Sequence, residues 1–200
     1  MNLYAPLGTL YAAAYVMQKG YSAALFDTML ADSEEDLRAS LNKHKPEVMV
    51  IYDDTFNYLT KMCLTRMREA AFRMSEIAKE FGCTVIVSGS DSVDHLEKYF
   101  KHKVDYAICG EGEQTLGELL DHLFANEVKQ SLNNSATFAN KVKQSLNNSA
   151  TFANKVKQSL NNSATFANEV KQSPENRSIH NINGLAFIES GRITRTAARK

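Results

Sequence analysis

Three short polar loops hold the residues whose types and spacing could do chemistry, and each follows an apolar, β-branched run. Asp53-Asp54 follows Val48-Met-Val-Ile-Tyr52, Gly89-Ser90-Asp91-Ser92 follows Thr84-Val-Ile-Val-Ser88, and Gly110-Glu111-Gly112-Glu113 follows Asp105-Tyr-Ala-Ile-Cys109. Paired carboxylates such as Asp53 and Asp54 are hard oxygen ligands of the kind that hold Mg²⁺. They also suggest the acidic pocket of a phosphoacceptor receiver domain, although no Lys closes the strand ending at Cys109. The hydroxyls and backbone around Ser90 could hold a buried nucleotide-like tail; the plainer reading is a turn with a Ser or Asp helix cap. Glycines 110 and 112 allow close backbone approach where a helix begins, and its free N–H groups suit an anionic or amide-bearing ligand. Glu111 and Glu113 in the same turn oppose a bare phosphate, which argues against a polyphosphate cradle.

The other reactive residue types form no such grouping. The five His (44, 95, 102, 122 and 180) show no zinc-binding spacing. His95 beside Asp94 reads as a solvated helix start before an acid–base pair. Cys63, Cys83 and Cys109 read as small core residues, without the C-x-x-C spacing of a ligand pair. Lys61, Arg66, Arg68 and Arg73 make a basic helix face, expected to be solvated with a Glu69–Arg73 pair, the alternative being a docking surface. Met62, Met67 and Met74 read as core residues in preference to a cofactor box.

Positioning those loops requires strands alternating with helices, and the remaining pattern supplies them. Ala12–Lys19 is helical and stops at Gly20, and Ser22-Ala-Ala-Leu-Phe26 reads as a strand. Ser33 caps a helix with an acidic first turn and Leu37 and Leu41 inward, ended by Pro46. A long amphipathic helix is expected from Tyr58 to Phe81, with further helices near Val93–Phe100 and over Leu116–Phe124. Gly184-Leu-Ala-Phe-Ile-Glu-Ser-Gly191-Arg-Ile-Thr-Arg reads as a β-hairpin turning at Ser190-Gly191. The fold class expected is α/β: a doubly wound, mostly parallel Rossmann- or flavodoxin-like sheet with a C-terminal hairpin. In such sheets ligands bind at the carboxyl ends of the strands, where the three loops lie.

Composition narrows the function classes. The 23 Lys+Arg balance 23 Asp+Glu in 200 residues, which argues against a non-specific nucleic-acid binder. A 44% apolar content can supply a core, and no apolar run approaches the roughly 20 residues of a membrane span. With no basic leader and no disulfide pattern, a cytoplasmic location is expected.

Between residues 126 and 167 a 14-residue unit, NEVKQSLNNSATFA in its first form, occurs three times, and a fourth copy is lost at Pro174. The near-identity of the copies indicates tandem duplication of the coding segment. Val128, Leu132 and Ala139 could share a helix face, whereas Asn-Asn-Ser favours turns, so broken helices and a loop are equally compatible. Three segments follow: an α/β domain over 1–125, the repeat insertion over 126–173, and the hairpin with a linker over 174–200.

Pro6-Leu-Gly8-Thr-Leu-Tyr11-Ala-Ala-Ala14-Tyr15 followed by Leu25-Phe26-Asp27 resembles the opening of the cobalamin-binding domain of cobalamin-dependent radical S-adenosylmethionine proteins. The relatives suggested are like Mg-protoporphyrin monomethyl ester cyclase. Val85-Ile-Val-Ser-Gly-Ser-Asp91, Asp105–Thr115 and the tail from Ile182 to Arg195 are similar to that family's later loops and hairpin. Outside the repeat the resemblance covers nearly the whole chain. It implies that Pro6, Gly8 and Tyr11 face cobalamin, with the turn Tyr52, Asp53, Asp54 and Thr55 near the corrin. Ser88, Gly89 and Ser90 would surround the nucleotide tail, and Gly110, Glu111, Gly112 and Glu113 would complete the pocket. It also implies cobalt without a protein His ligand, since D-x-H-x-x-G is absent. The family's C-x-x-x-C-x-x-C is absent too, so the iron–sulfur cluster and S-adenosylmethionine are expected only in a missing radical domain, whether on this gene or another chain. The family's first strand belongs before Pro6, and its loss would leave a gap between the strands at Ser22 and Val48. The function expected is therefore a cobalamin-binding module not catalytic alone, with a receiver-like signalling domain or a ligand-free remnant as alternatives.

Overall fold

The computed structural model describes residues 6–52, 64–125 and 178–199. Helix α1 (Leu7–Gln18) follows Pro6, and its end is set by Gly20 in a left-handed conformation (φ +95°). There Gly20 N–H donates to Met17 O and Tyr21 N–H to Val16 O, the paired bonds of a Schellman stop. A 3₁₀ turn (Glu34–Asp36) leads into α2 (Leu37–His44). Ser33 and Asp36 form the capping box expected at that start. The left-handed Lys45, followed by Pro46, ends α2.

Strand β1 (Val48–Tyr52) and β2 (Thr84–Ser88) are joined in sequence by α3 (Leu64–Glu80), which stops at Gly82 as the sequence pattern indicates. The expected helical residues 58–63 lie outside the described residues. After β2 come α4 (Ser90–Asp94) and α5 (Leu96–Lys101), two short helices where one is expected, broken at His95. Strand β3 (Tyr106–Ile108) is followed by helix α6 over the described residues 112–125. A 3₁₀ turn (Ile179–Asn181) precedes β4 (Leu185–Glu189) and β5 (Arg192–Arg195).

These strands form one mixed sheet in the order β1-β2-β3-β4-β5. β1, β2 and β3 are parallel, with Tyr52 opposite Ser88 and Ser88 opposite Ile108. β4 joins β3 antiparallel, pairing Leu185 with Ile108, and β5 returns as the expected hairpin, Glu189 opposite Arg192. Ser190 and Gly191 both have positive φ, as a two-residue type I′ turn requires. The chain is thus an α/β protein.

Ser22–Phe26 is a correction: residues 21–27 belong to no ladder among the described residues. Apolar composition suggests a strand, but a strand exists only with a hydrogen-bonding neighbour, and β1 has β2 as its one paired neighbour there. Phe26 still packs against the core.

The core lies on the sheet face bearing Val85, Val87, Ala107 and Ala186, covered by Leu37 and Leu41 of α2, Met74 and Ile77 of α3, and Tyr99 and Phe100 of α5. Ile86, Ile108 and Leu185 on the alternate face are also fully buried, as expected of a strand array covered on both sides. The chain divides into two compact units, Met1–Leu119 with His180–Lys200, and Leu120–Ile179; the repeat lies in the second, outside the described residues. No helix among the described residues is long and apolar enough to cross a membrane.

Candidate functional site at the strand ends

Parallel pairing in register brings the carboxyl ends of β1, β2 and β3 to one edge, and the chemistry-bearing loops with them. Tyr52 ends β1, directly opposite the buried Ser88 that ends β2. The Tyr52 hydroxyl donates to Glu113 Oε1 at 3.2 Å. Burial, then the negative Glu113 accepting that bond, push the phenol up to about 12, while hydrogen bonding with Ser88 pulls the other way. Glu111 adds a smaller push upward. At the opening of α6, the buried Gly112 lies beneath the tyrosine: a Cβ there would stand 2.3 Å from the hydroxyl oxygen and 3.0 Å from two ring carbons. Only a residue without a side chain lets the ring lie this close to the helix start. Thr9, near the start of α1, reaches the same edge, its hydroxyl donating to Tyr52 O at 3.5 Å.

Four residues named by sequence therefore converge here: Tyr52, Ser88, Gly112 and Glu113. Gly110 and Glu111 are exposed on the turn leaving β3. Pro6 precedes α1, while Gly8 and Tyr11 lie within that helix, Gly8 buried and Tyr11 exposed. The first segment is thus helical from Leu7, ahead of the start expected at Ala12. Asp53, Asp54 and Thr55 lie outside the described residues, so the Mg²⁺ and receiver readings have no described geometry. Gly89 and Ser90 open α4, where Ser92 Oγ donates to Gly89 O at 2.8 Å. The expected Ser or Asp cap does not form there: the residue at the cap position is Gly89, and no side chain accepts from the first turn of α4.

Beside this loop sits a grouping that sequence reasoning missed. Asp91 is buried and takes both arms of Arg68, with Nε to Oδ2 at 2.7 Å and a second bond from Nη2 to Oδ1. Tyr99 Oη donates to Asp91 Oδ2 at 3.0 Å. Arg68, Tyr99 and His95 hold the carboxyl below the usual range against the opposing effect of burial. His95 Nδ1 lies 3.5 Å from Asp91 Oδ1, so the carboxylate it faces is Asp91. The basic helix face is ion-paired: Arg66 with Glu34, Arg68 with Asp91, and Arg73 with Glu35 in place of the expected Glu69. No spacing within α3 could reveal these partners, which lie 23 to 38 residues away.

A second clamp lies just below the strand-end edge. Arg199 Nε donates to Thr115 Oγ1 at 2.8 Å, Arg199 Nη2 donates to Glu118 Oε2 at 2.6 Å, and Thr115 Oγ1 donates to Asn183 O at 3.0 Å. It fastens the segment after β5 to the first turns of α6. Cys83 is buried and Cys109 half-buried, and desolvation raises both thiols, consistent with core packing. No cluster of three or more metal-ligating side chains occurs among the described residues.

Comparison with known proteins returns no match to a family model, to a curated protein or to a solved structure.

Proposed function

We propose that the chain is a cobalamin-binding module of a radical S-adenosylmethionine-type enzyme, with the corrin over the carboxyl ends of β1, β2 and β3. The observation that carries this reading is the convergence of Tyr52, Ser88, Gly112 and Glu113, from three loops well separated in sequence, at one strand-end edge. The resemblance assigns those same positions to the cofactor, and a doubly wound sheet is the fold it implies. Three parallel strands, of which β2 and β3 are buried on both faces, support that finer fold reading.

The residues fit such a group. Gly112 forms a cradle that a side chain would fill, and it already accepts a flat ring against its backbone. Tyr52 and Ser88 offer hydroxyls, and Glu113 accepts from a phenol and could accept equally from the amide side groups of a corrin. Tyr52 must leave Gly112 for a larger ring to enter. When bound, cobalamin supplies methyl-carrier or tetrapyrrole-modifying chemistry. The chain's own part is to bind, orient and shield that group. The iron–sulfur cluster and S-adenosylmethionine would come from a separate radical domain.

The test is to mix the full chain with hydroxocobalamin, desalt it, and record the visible spectrum. A retained one-to-one corrin spectrum with the lower base displaced supports the module. Complete loss of corrin from a cooperatively folded chain overturns it, leaving a receiver-like domain or a ligand-free remnant.

A further inference from the structure

Two tyrosine–carboxylate pairs lie near the strand ends, and they are held differently. Tyr99 is 5% exposed, and its partner Asp91 is also gripped by both arms of Arg68. That ring is locked. Tyr52 is half-buried, and its partner Glu113 forms no ion pair among the described residues. One hydrogen bond of 3.2 Å to Glu113, with Ser88 beside it, holds the phenol over Gly112. The main chain of Tyr52 is fixed independently, paired opposite Ser88 and accepting from Thr9. A turn of the side chain to another staggered rotamer therefore lifts the ring off Gly112 and leaves the sheet intact.

The seat beneath that ring has a defined chemistry. Its floor is the buried backbone of Gly112, where even a Cβ would stand 2.3 Å from the phenol oxygen, so what rests there is flat. Gly is a poorer helix former than Ala, and the close seat is what it provides in return. Beside the floor, Glu113 is an acceptor with lone pairs to spare, and it takes N–H or O–H donors. The field of Glu111, which already bears on the phenol, disfavours an anion. A planar, donor-bearing group without negative charge meets all three conditions. The phenol of Tyr52 is itself such a group. Its departure gives up one hydrogen bond and the ring's contact with Gly112, and an entering ring restores both, so the exchange is close to balanced.

We propose that Tyr52 is a gate on the strand-end site: its ring holds the seat on Gly112 closed, and a planar, donor-bearing, non-anionic group binds by turning it out and taking over Glu113. The inference rests on the cofactor reading for the place of binding and adds a competitor built into the chain. A closed seat lowers apparent affinity by the fraction of time it is open, so weakening the closure must tighten binding. The experiment uses the full chain, with Tyr52→Phe and Tyr52→Ala as variants, in two arms. In the first, hydroxocobalamin is titrated; Tyr52→Phe, which loses the bond to Glu113, should bind about tenfold tighter than wild type. In the second, thermal unfolding is followed with phenol or benzene. Phenol should stabilise Tyr52→Ala and not wild type, and benzene, which has no donor for Glu113, should do less. Corrin lost from every form while phenol still stabilises Tyr52→Ala overturns the cofactor reading and supports the gate, its ligand then being a smaller ring. Corrin binding that is weaker or unchanged in both variants makes Tyr52 a part of the binding surface and overturns the gate. Phenol that acts on wild type and Tyr52→Ala alike, or on neither, overturns it whatever the corrin does. Cooperative unfolding of each variant separates these outcomes from loss of fold.

Discussion

The Tyr52 ring and Gly112 are in such close contact that a methyl group on Gly112 would overlap the phenol, 2.3 Å from its oxygen. Tyr52 is the last residue of β1 and Gly112 begins the described helix α6, so one contact fixes where the helix starts relative to the sheet edge. The hydroxyl's bond to Glu113, one residue further on, gives the same contact a direction.

Gly112→Ala should therefore be costly only while Tyr52 is present. Alone it must push the ring aside and break the bond to Glu113, a loss of about 1–2 kcal/mol in unfolding free energy. In a Tyr52→Ala background the space is free, and the intrinsic helix preference of Ala over Gly, up to about 1 kcal/mol, should make the same change neutral or stabilising. Urea unfolding of the four proteins measures the coupling. Additive effects would mean that the ring does not rest on Gly112.

Tyr52 also predicts an alkaline limit. Its phenol is pushed up to about 12, chiefly by burial and by Glu113, above the ordinary value of about 10. The folded state holds that proton more tightly than the unfolded chain. Its contribution is thus complete below pH ~10 and falls away as pH rises through the folded value. Tyr52→Phe removes this ionisation. Its stability should decline less steeply than wild type over that window in pH-dependent denaturation, the residual slope including Tyr106, whose phenol burial also raises.

At the acid end the relevant group is Asp91, held low by Arg68 and assisted by Tyr99. A carboxyl depressed in the folded state stabilises fully above its unfolded value of about 3.9 and stops doing so as pH falls through its folded value. Asp91→Asn should leave Arg68 without its charge partner beneath the Gly89–Ser92 loop, at a cost of about 2–3 kcal/mol at neutral pH. Below pH ~4 the variant and wild type should converge. Guanidinium unfolding at neutral and acid pH decides between this and a pair of no consequence, for which the two curves coincide throughout.

Elements whose determinants are local could be read from the sequence. The Ser33 cap, the glycine stops at 20 and 82, the β1–β3 runs and the Ser190-Gly191 hairpin all use signals within a few residues, and all are present. The strand at Ser22–Phe26 was not decidable in that way, because composition cannot show whether a neighbour will complete its hydrogen bonds. The candidate site divides along the same line. The strand-end pattern pointed to Gly112 and Glu113 and the family resemblance added Tyr52 and Ser88, whereas Arg68 read as part of a solvated face. Its partner Asp91 is 23 residues away and is brought to it by the packing of α3 against β2 and α4. Thr9 and Arg199 were missed for the same reason, their partners lying 43 and 84 residues away.

Arg199 allows that long-range part of the fold to be tested. Its guanidinium is nearly buried, bonded to Thr115 Oγ1 and Glu118, while the Thr115 hydroxyl in turn donates to Asn183 O. Truncation by Arg199→Ala leaves Glu118 partly buried without its cation and frees the chain beyond β5, for an expected loss of about 2–3 kcal/mol. Arg199→Lys keeps the charge but cannot fork between a hydroxyl and a carboxylate, so it should recover only part of that loss. Amide hydrogen exchange gives the readout that global stability lacks. β4 and β5 should lose protection in Arg199→Ala before β1 and β2 do, because Gly184 N–H is held by Ala197 O, close to the clamp. Equal loss of protection in all five strands would show that the clamp supports the sheet as a whole and has no particular hold on the hairpin.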